Sequence, residues 1–187
     1  MEKITRHIVK NEIVFEYTTY DFVLMEDVRL GWHPNMIKLV QHLRRGFYFG
    51  LPQRPTSASK AKRLVTKCER LKDHEFSKMA LAADAYDKRY KRHKVLQDYF
   101  MANQRYTIAM EAPVWDDEMC TLLDLLLIDP KTGIVDLLDY KPDAAKEKKA
   151  GTQIYHGKRL LCNNTGIKPE FIRAFYFDEH NTYQLIS

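Results

Sequence analysis

The sequence predicts an α/β (α+β) protein: a mixed central sheet flanked by helices, joined to a basic, mainly helical N-terminal part. Three observations carry that expectation. Residues 105–177 read as three strands, a helix and a further strand. Residues 34–101 place apolar side chains at helical spacing. The charge is also split, with 21 Lys+Arg against 12 Asp+Glu in residues 1–110 and 9 against 13 in residues 111–187. At 187 residues and 45% hydrophobic, the chain can bury a real core and is too apolar for disorder.

Residues 12–25 are rich in β-branched and aromatic side chains and predict one or two strands. Pro34 opens a helix whose Met36, Ile37, Val40 and Leu43 form an apolar stripe. Residues 50–59 are the clearest loop, and Thr56, Ser57 or Ser59 is placed to cap a helix running to about Leu71. From His74 to about Met101 the spacing predicts one more helix, with Lys88, Arg89, Lys91, Arg92 and Lys94 between its apolar positions. Residues 105–115 then read as a strand that Pro113 limits or bends. Residues 119–129 are a nearly continuous apolar run, as expected of a central strand. Asp129-Pro130-Lys131-Thr132-Gly133 is a turn, Ile134–Tyr140 a strand, Ala144–Cys162 a helix and Phe171–Phe177 a strand.

One acid interrupts the run of leucines, and it is Asp124. Buried without a partner it would cost several kcal/mol, so it needs a counter-group or a metal. A hairpin turning at Lys131–Thr132 sets Asp124 across from Asp139, with side chains roughly 5 Å apart on one face. Lys141 shares the face of Asp139, because strand side chains repeat every two residues. Glu111, on the preceding strand, adds a third carboxylate. Oxygen ligands of this kind suit Mg²⁺ or Mn²⁺, with the Tyr140 carbonyl as a further ligand, and such a site suits attack on a phosphodiester. The competing reading is structural, with Asp124 satisfied by an ion pair to Lys141.

Glu111, Asp124 and Asp139-x-Lys141, followed by a helix containing Gln153, resemble the PD-(D/E)xK nuclease superfamily, and within it the RecB-like branch. The resemblance covers residues 90–178. It implies a restriction-endonuclease-like core at 104–187, forming one compact unit with the basic region at 1–103. It further implies Mg²⁺-dependent DNA hydrolysis in repair, recombination or replication of a virus or mobile element. Residue by residue it implies Asp124 and Asp139 as metal ligands, Lys141 as the catalytic lysine, and Glu111 as an auxiliary acid. His93, 31 residues before Asp124, falls where the branch places a metal-binding histidine. Gln153 and Tyr155 fall on the DNA-positioning helix, although the branch spaces that pair by four residues and Gly157 occupies the expected spot here. Cys68, Cys120 and Cys162 are too few for the iron–sulfur cluster of some relatives.

Single-stranded DNA is the partner expected, ahead of duplex. Lys158 of the Gln153 helix, Arg44 and Arg45 beside Phe47–Phe49, and a helical basic face of Lys60, Lys62, Arg63, Lys67 and Arg70 are candidate phosphate contacts. Three scattered cysteines and an N-terminus without an apolar core point to an intracellular protein, and no apolar run approaches a membrane span. Neither GxSxG nor GxxxxGK[ST] occurs. Two other readings stay open: a catalytically inactive nucleic-acid-binding protein of the same fold, and a basic protein-interaction module.

Overall fold

The apolar run 119–128 lies inside a sheet. The computed structural model describes residues 3–10, 13–20, 32–45, 56–86, 92–104 and 106–186, and in it that run is strand β6 (Met119–Ile128). Antiparallel neighbours flank it, β5 (Thr107–Trp115) on one side and β7 (Val135–Tyr140) on the other. The β6–β7 register is the one expected, with Leu125 opposite Leu138 and Ile128 opposite Val135. Its turn is closed on Asp129, whose side chain accepts from Lys131 N at 2.9 Å and whose carbonyl accepts from Gly133 N at 2.8 Å. Gly133 sits at φ +70°, and a Cβ there would fall 1.9 Å from His33 Nδ1. Only glycine fits that corner.

After β7 the chain crosses through helix α4 (Ala150–Thr165) and returns as β8 (Ile172–Phe177), parallel to β7. A parallel pair needs such a crossover. Strand β9 (Thr182–Leu185) then turns back antiparallel on β8. The N-terminal region supplies β1 (Lys3–Lys10), β2 (Ile13–Tyr20), helix α1 (Pro34–Arg45), β3 (Thr56–Ser57), β4 (Cys68–Leu71), and helices α2 (Glu75–Tyr86) and α3 (Arg92–Asn103). The sheet order is β1-β2-β5-β6-β7-β8-β9-β4, with β3 lying parallel to the start of β6. Elements from both sides of residue 103 therefore share one sheet.

Each face of the sheet carries its own core. Leu126, Ile128, Val135 and Leu137 face α1 and α4, where they meet Leu39, Leu43, Ile154 and Leu161. Leu125, Leu127, Leu138, Phe175 and Phe177 face α2 and α3, where they meet Phe76, Leu96 and Phe100. The two-residue alternation of buried strands fills both layers, which is why β6 reads as continuously apolar. Rings knit the second layer: Phe76 lies 5.1 Å from Phe175, and Phe100 lies 5.8 Å from Phe177. Edge-on and tilted aromatic pairs of this kind contribute about 0.5–1.5 kcal/mol each beyond burial. Gly157 brings α4 close to the sheet, since a Cβ there would stand 3.0 Å from Leu123 Cδ2 and 3.2 Å from Leu137 Cδ1.

Several expectations are corrected. The N-terminal region is less helical than predicted, because four of its segments are strands; β1 was not foreseen, and residues 21–31 lie outside the described residues. No α-helix follows Ser59: Ser57 caps a single 3₁₀ turn, residues 62–67 have no regular secondary structure, and Cys68–Leu71 join the sheet edge against β9. The helix expected over His74–Met101 is two. Phe76 and Phe100 sit 6.3 Å apart, whereas 24 residues of straight helix would separate them by about 36 Å. Pro113 lies within β5 rather than at its end. The helix expected from Ala144 starts at Ala150, after a 3₁₀ turn at Ala144–Lys146, and runs on to Thr165. Among the described residues, no helix is long and apolar enough to cross a membrane.

Candidate metal centre

Asp124 is buried near the middle of β6, and one oxygen of its carboxylate takes two hydrogen bonds. Its Oδ2 lies 2.7 Å from His93 Nε2 and accepts the Tyr140 backbone N–H at 2.7 Å. The second contact ends the β6–β7 ladder, because Tyr140 N is turned onto a side chain instead of a strand carbonyl. Lys141 is not its partner. The lysine bonds Asp139 Oδ1 at 2.9 Å, so the simple Asp124–Lys141 ion pair does not form.

Glu111 stands across β5 from Asp124, since Met110 pairs with Leu125 and Ala112 with Leu123. Its backbone is left-handed, at φ +53°, a conformation that costs a non-glycine residue energy. The alternation of β5 breaks there: Met110 belongs to the α2/α3 core, yet Ala112 belongs to the α1/α4 core. That break leaves Glu111 with partners on α3. Gln97 Nε2 donates to Glu111 Oε1 and, at 3.2 Å, to the Asp124 carbonyl. His93 Nδ1 lies 3.7 Å from Glu111 Oε1. His93 and Gln97 are four residues apart on α3 and so share one helix face.

Ligand atoms of His93, Glu111 and Asp124 all fall within 4.8 Å of one another, a group able to hold a metal ion. Asp139 sits outside that trio but beside it, lining a cavity with Asp124, Lys141, Gln153, Ser57, Ser59 and Thr121. The cavity measures about 270 Å³. Four buried side-chain atoms lack a partner among the described residues, and two of them, Asp139 Oδ2 and Gln153 Oε1, belong to its lining residues. A buried acceptor left empty is costly, and these two are open to a water or a ligand in the cavity.

Electrostatics follow from crowding of acids. Burial, then the charge of Asp124, pushes the Asp139 carboxyl up to about 7 despite Lys141. Burial also raises Glu111, against the hydrogen bond from Gln97. Burial disfavours the charged forms of His93 and Lys141, but neighbouring carboxylates outweigh it and raise both: Asp124 first for His93, Asp139 first for Lys141. Lys141 therefore stays an ammonium at neutral pH. The donor set of carboxylate oxygens and one imidazole, together with the empty Asp139 oxygen, fits a hard divalent cation.

Asp124 thus joins two adjacent groups, His93 and Glu111 on one side and Asp139, Lys141 and, from α4, Gln153 around the cavity on the other. Tyr140 presents its N–H to Asp124, while its hydroxyl donates to Glu179 at 2.6 Å. Tyr155 is exposed on α4 and does not line the cavity; Lys158 is half-buried outside it. Arg44 and Arg45 close α1, also away from the lining, and Phe47–Phe49 fall outside the described residues. Lys60 ends the 3₁₀ turn Ala58–Lys60, and Lys62 and Arg63 follow on a segment without regular secondary structure; all three are exposed, and no α-helix carries them. Three contributors went unread in the sequence. Gln97 carried a faint signal, one helical turn after His93, whereas Ser57 and Ser59 reach the site through tertiary contacts alone. Comparison of the chain with models of known protein families finds no match, nor do comparisons with curated proteins and with solved structures.

Proposed function

We propose that the protein is a Mg²⁺- or Mn²⁺-dependent nuclease that hydrolyses DNA phosphodiester bonds, on a restriction-endonuclease-like core. The observation that carries this reading is the meeting of Asp124, Asp139 and Lys141 in one cavity, with an Asp139 oxygen left without a partner. The order β5-β6-β7-α4-β8, with the acids on β5, β6 and β7, agrees with the PD-(D/E)xK resemblance. Asp124, Asp139, His93 and Glu111 would hold the ion, with the Tyr140 carbonyl as a further ligand. When bound, the cation supplies Lewis-acid polarisation of the phosphodiester and neutralises charge that builds on it.

The chain's own groups divide the remaining work. Lys141, kept charged by Asp139, donates hydrogen bonds to a phosphoryl oxygen and to the attacking water. It acts as a donor rather than a base, since its pKa is raised. Asp139 ionises near neutral pH, and once its proton leaves it offers a carboxylate oxygen for a cation. Gln153 Oε1, an acceptor without a partner, orients a water or hydroxyl in the same cavity. Gln97 holds Glu111 in its strained conformation and links it to the Asp124 strand.

The test is incubation with circular single-stranded and supercoiled DNA in Mg²⁺ or EDTA, comparing the wild type with Asp139→Ala and Lys141→Ala. Metal-dependent cutting that both variants lose is the expected result. Cutting that survives in both would remove the site.

A further inference from the structure

Residues 56–67 form an anchored strap at the mouth of the cavity. Thr56 N donates to the Glu118 carbonyl at 3.1 Å, and Leu64 N donates to Thr152 Oγ1 on α4 at 3.0 Å. Lys149 Nζ reaches the carbonyls of Ser59 and Ala61 at 3.5 and 3.4 Å, and the Lys67 carbonyl accepts from Ile186 N at 2.9 Å. Held this way, the strap turns Ser57 and Ser59 into the cavity wall. Lys60, Lys62 and Arg63 stay exposed and make no ion pair with any described residue. Leu64 and Val65 follow them, both exposed, Val65 completely. Tyr155 is exposed on α4 three residues after Thr152, the strap's own anchor.

We propose that this strap is the binding track for a single-stranded polynucleotide. Phosphates lie on Lys60, Lys62 and Arg63, unpaired bases lie against Leu64, Val65 and Tyr155, and one nucleotide at a time enters the cavity. The proposal rests on the hydrolase reading and adds the form of its substrate. An unpaired strand alternates charged phosphates with apolar base faces, which is the pairing of chemistries the strap exposes. A duplex hides its base faces, so Leu64, Val65 and Tyr155 would gain nothing from it. The cavity of about 270 Å³ is walled by the strap, β6, β7 and α4. The cations also answer a physical need, because a polyanion must be drawn toward Asp124, Asp139 and Glu111, which repel it.

Fluorescence anisotropy in EDTA, where nothing is cut, measures binding of a labelled 20-nucleotide DNA strand, the same strand as RNA, and a blunt DNA duplex. At least one single strand is expected to bind about tenfold or more tighter than the duplex, and the stronger of the two identifies the sugar. In the Lys60→Ala/Lys62→Ala/Arg63→Ala variant, the slope of log affinity against log salt should flatten by about 2, at about 0.7 per lost phosphate contact. Tyr155→Ala should weaken single-strand binding by about fivefold or more and leave duplex binding unchanged. Duplex bound as tightly as both single strands, or an unaltered salt slope in the triple variant, would overturn the track. Intact single-strand binding by a wild type that cuts nothing in Mg²⁺ would instead remove the hydrolase and leave the track standing.

Discussion

On the α3 side of Asp124 the polar groups already hold one another: His93 on Asp124, Gln97 on Glu111 and the Asp124 carbonyl. On the α4 side Asp139 keeps one oxygen on Lys141 and leaves the other empty, and Gln153 Oε1 is empty too. Both sides are built from a strand acid and a helical amide, yet only one is complete by itself. On the proposed reading the α3 side fixes Asp124 and Glu111 as ligands, whereas the α4 side keeps the open acceptors, Asp139 Oδ2 and Gln153 Oε1.

That contrast is broken most severely from the α4 side. Asp139→Asn keeps the shape and removes the charge, and it should lower cleavage on the order of 10³-fold, read in single-turnover assays at saturating Mg²⁺. Lys141→Ala should approach the same loss. From the α3 side the effect is smaller. Gln97→Ala removes the amide that donates to Glu111 Oε1 but leaves every ligand side chain in place, so metal affinity should fall about 10- to 100-fold while cleavage at saturating metal largely recovers. Equal, unrecoverable losses in Gln97→Ala and Asp139→Asn would erase the distinction.

The same contrast has a pH signature in the metal-free protein. Asp139 keeps its proton up to about pH 7 in the fold but only to about 3.9 when unfolded. Between those values the folded state binds a proton that the unfolded state has lost, so stability falls as pH rises from about 4 to 7. Raised His93 adds a loss of the same sign at higher pH, as its proton leaves the folded state. Thermal melts in EDTA should show the decline, and Asp139→Asn should flatten its lower part. Mn²⁺ added at pH 7.5 should raise the wild-type melting temperature, by about 2–4 °C for each kcal/mol of binding, and should not raise that of Asp139→Asn. The smallest effect concerns packing alone. Gly157→Ala pushes α4 off Leu123 and Leu137 and should cost about 1–3 kcal/mol in urea unfolding, with little change in metal affinity.

The acid-bearing hairpin was legible because local chemistry fixes it. An Asp129–Gly133 turn of set length and a leucine run with one acid leave a single register, and Leu125–Leu138 realises it. The helical hairpin of α2 and α3 was hidden, since residues 87–91 contain neither Gly nor Pro to mark a break. The strap was misread for a deeper reason. Its Ser, Ala and Lys residues are compatible with a helix, but Glu118, Thr152 and Ile186 bind its backbone groups, and those partners lie 50 or more residues away in sequence. Glu111 was legible as an acid but not as a strained one, because its left-handed backbone depends on the break in β5 opposite Asp124.

Calorimetric titration of Mn²⁺ into the metal-free protein at pH 7.5, in two buffers of different ionisation enthalpy, tests the pairing of Asp124 with Asp139 most directly. Saturable binding with proton release, lost in Asp139→Asn, is the predicted result. Identical isotherms for the wild type and Asp139→Asn would contradict it.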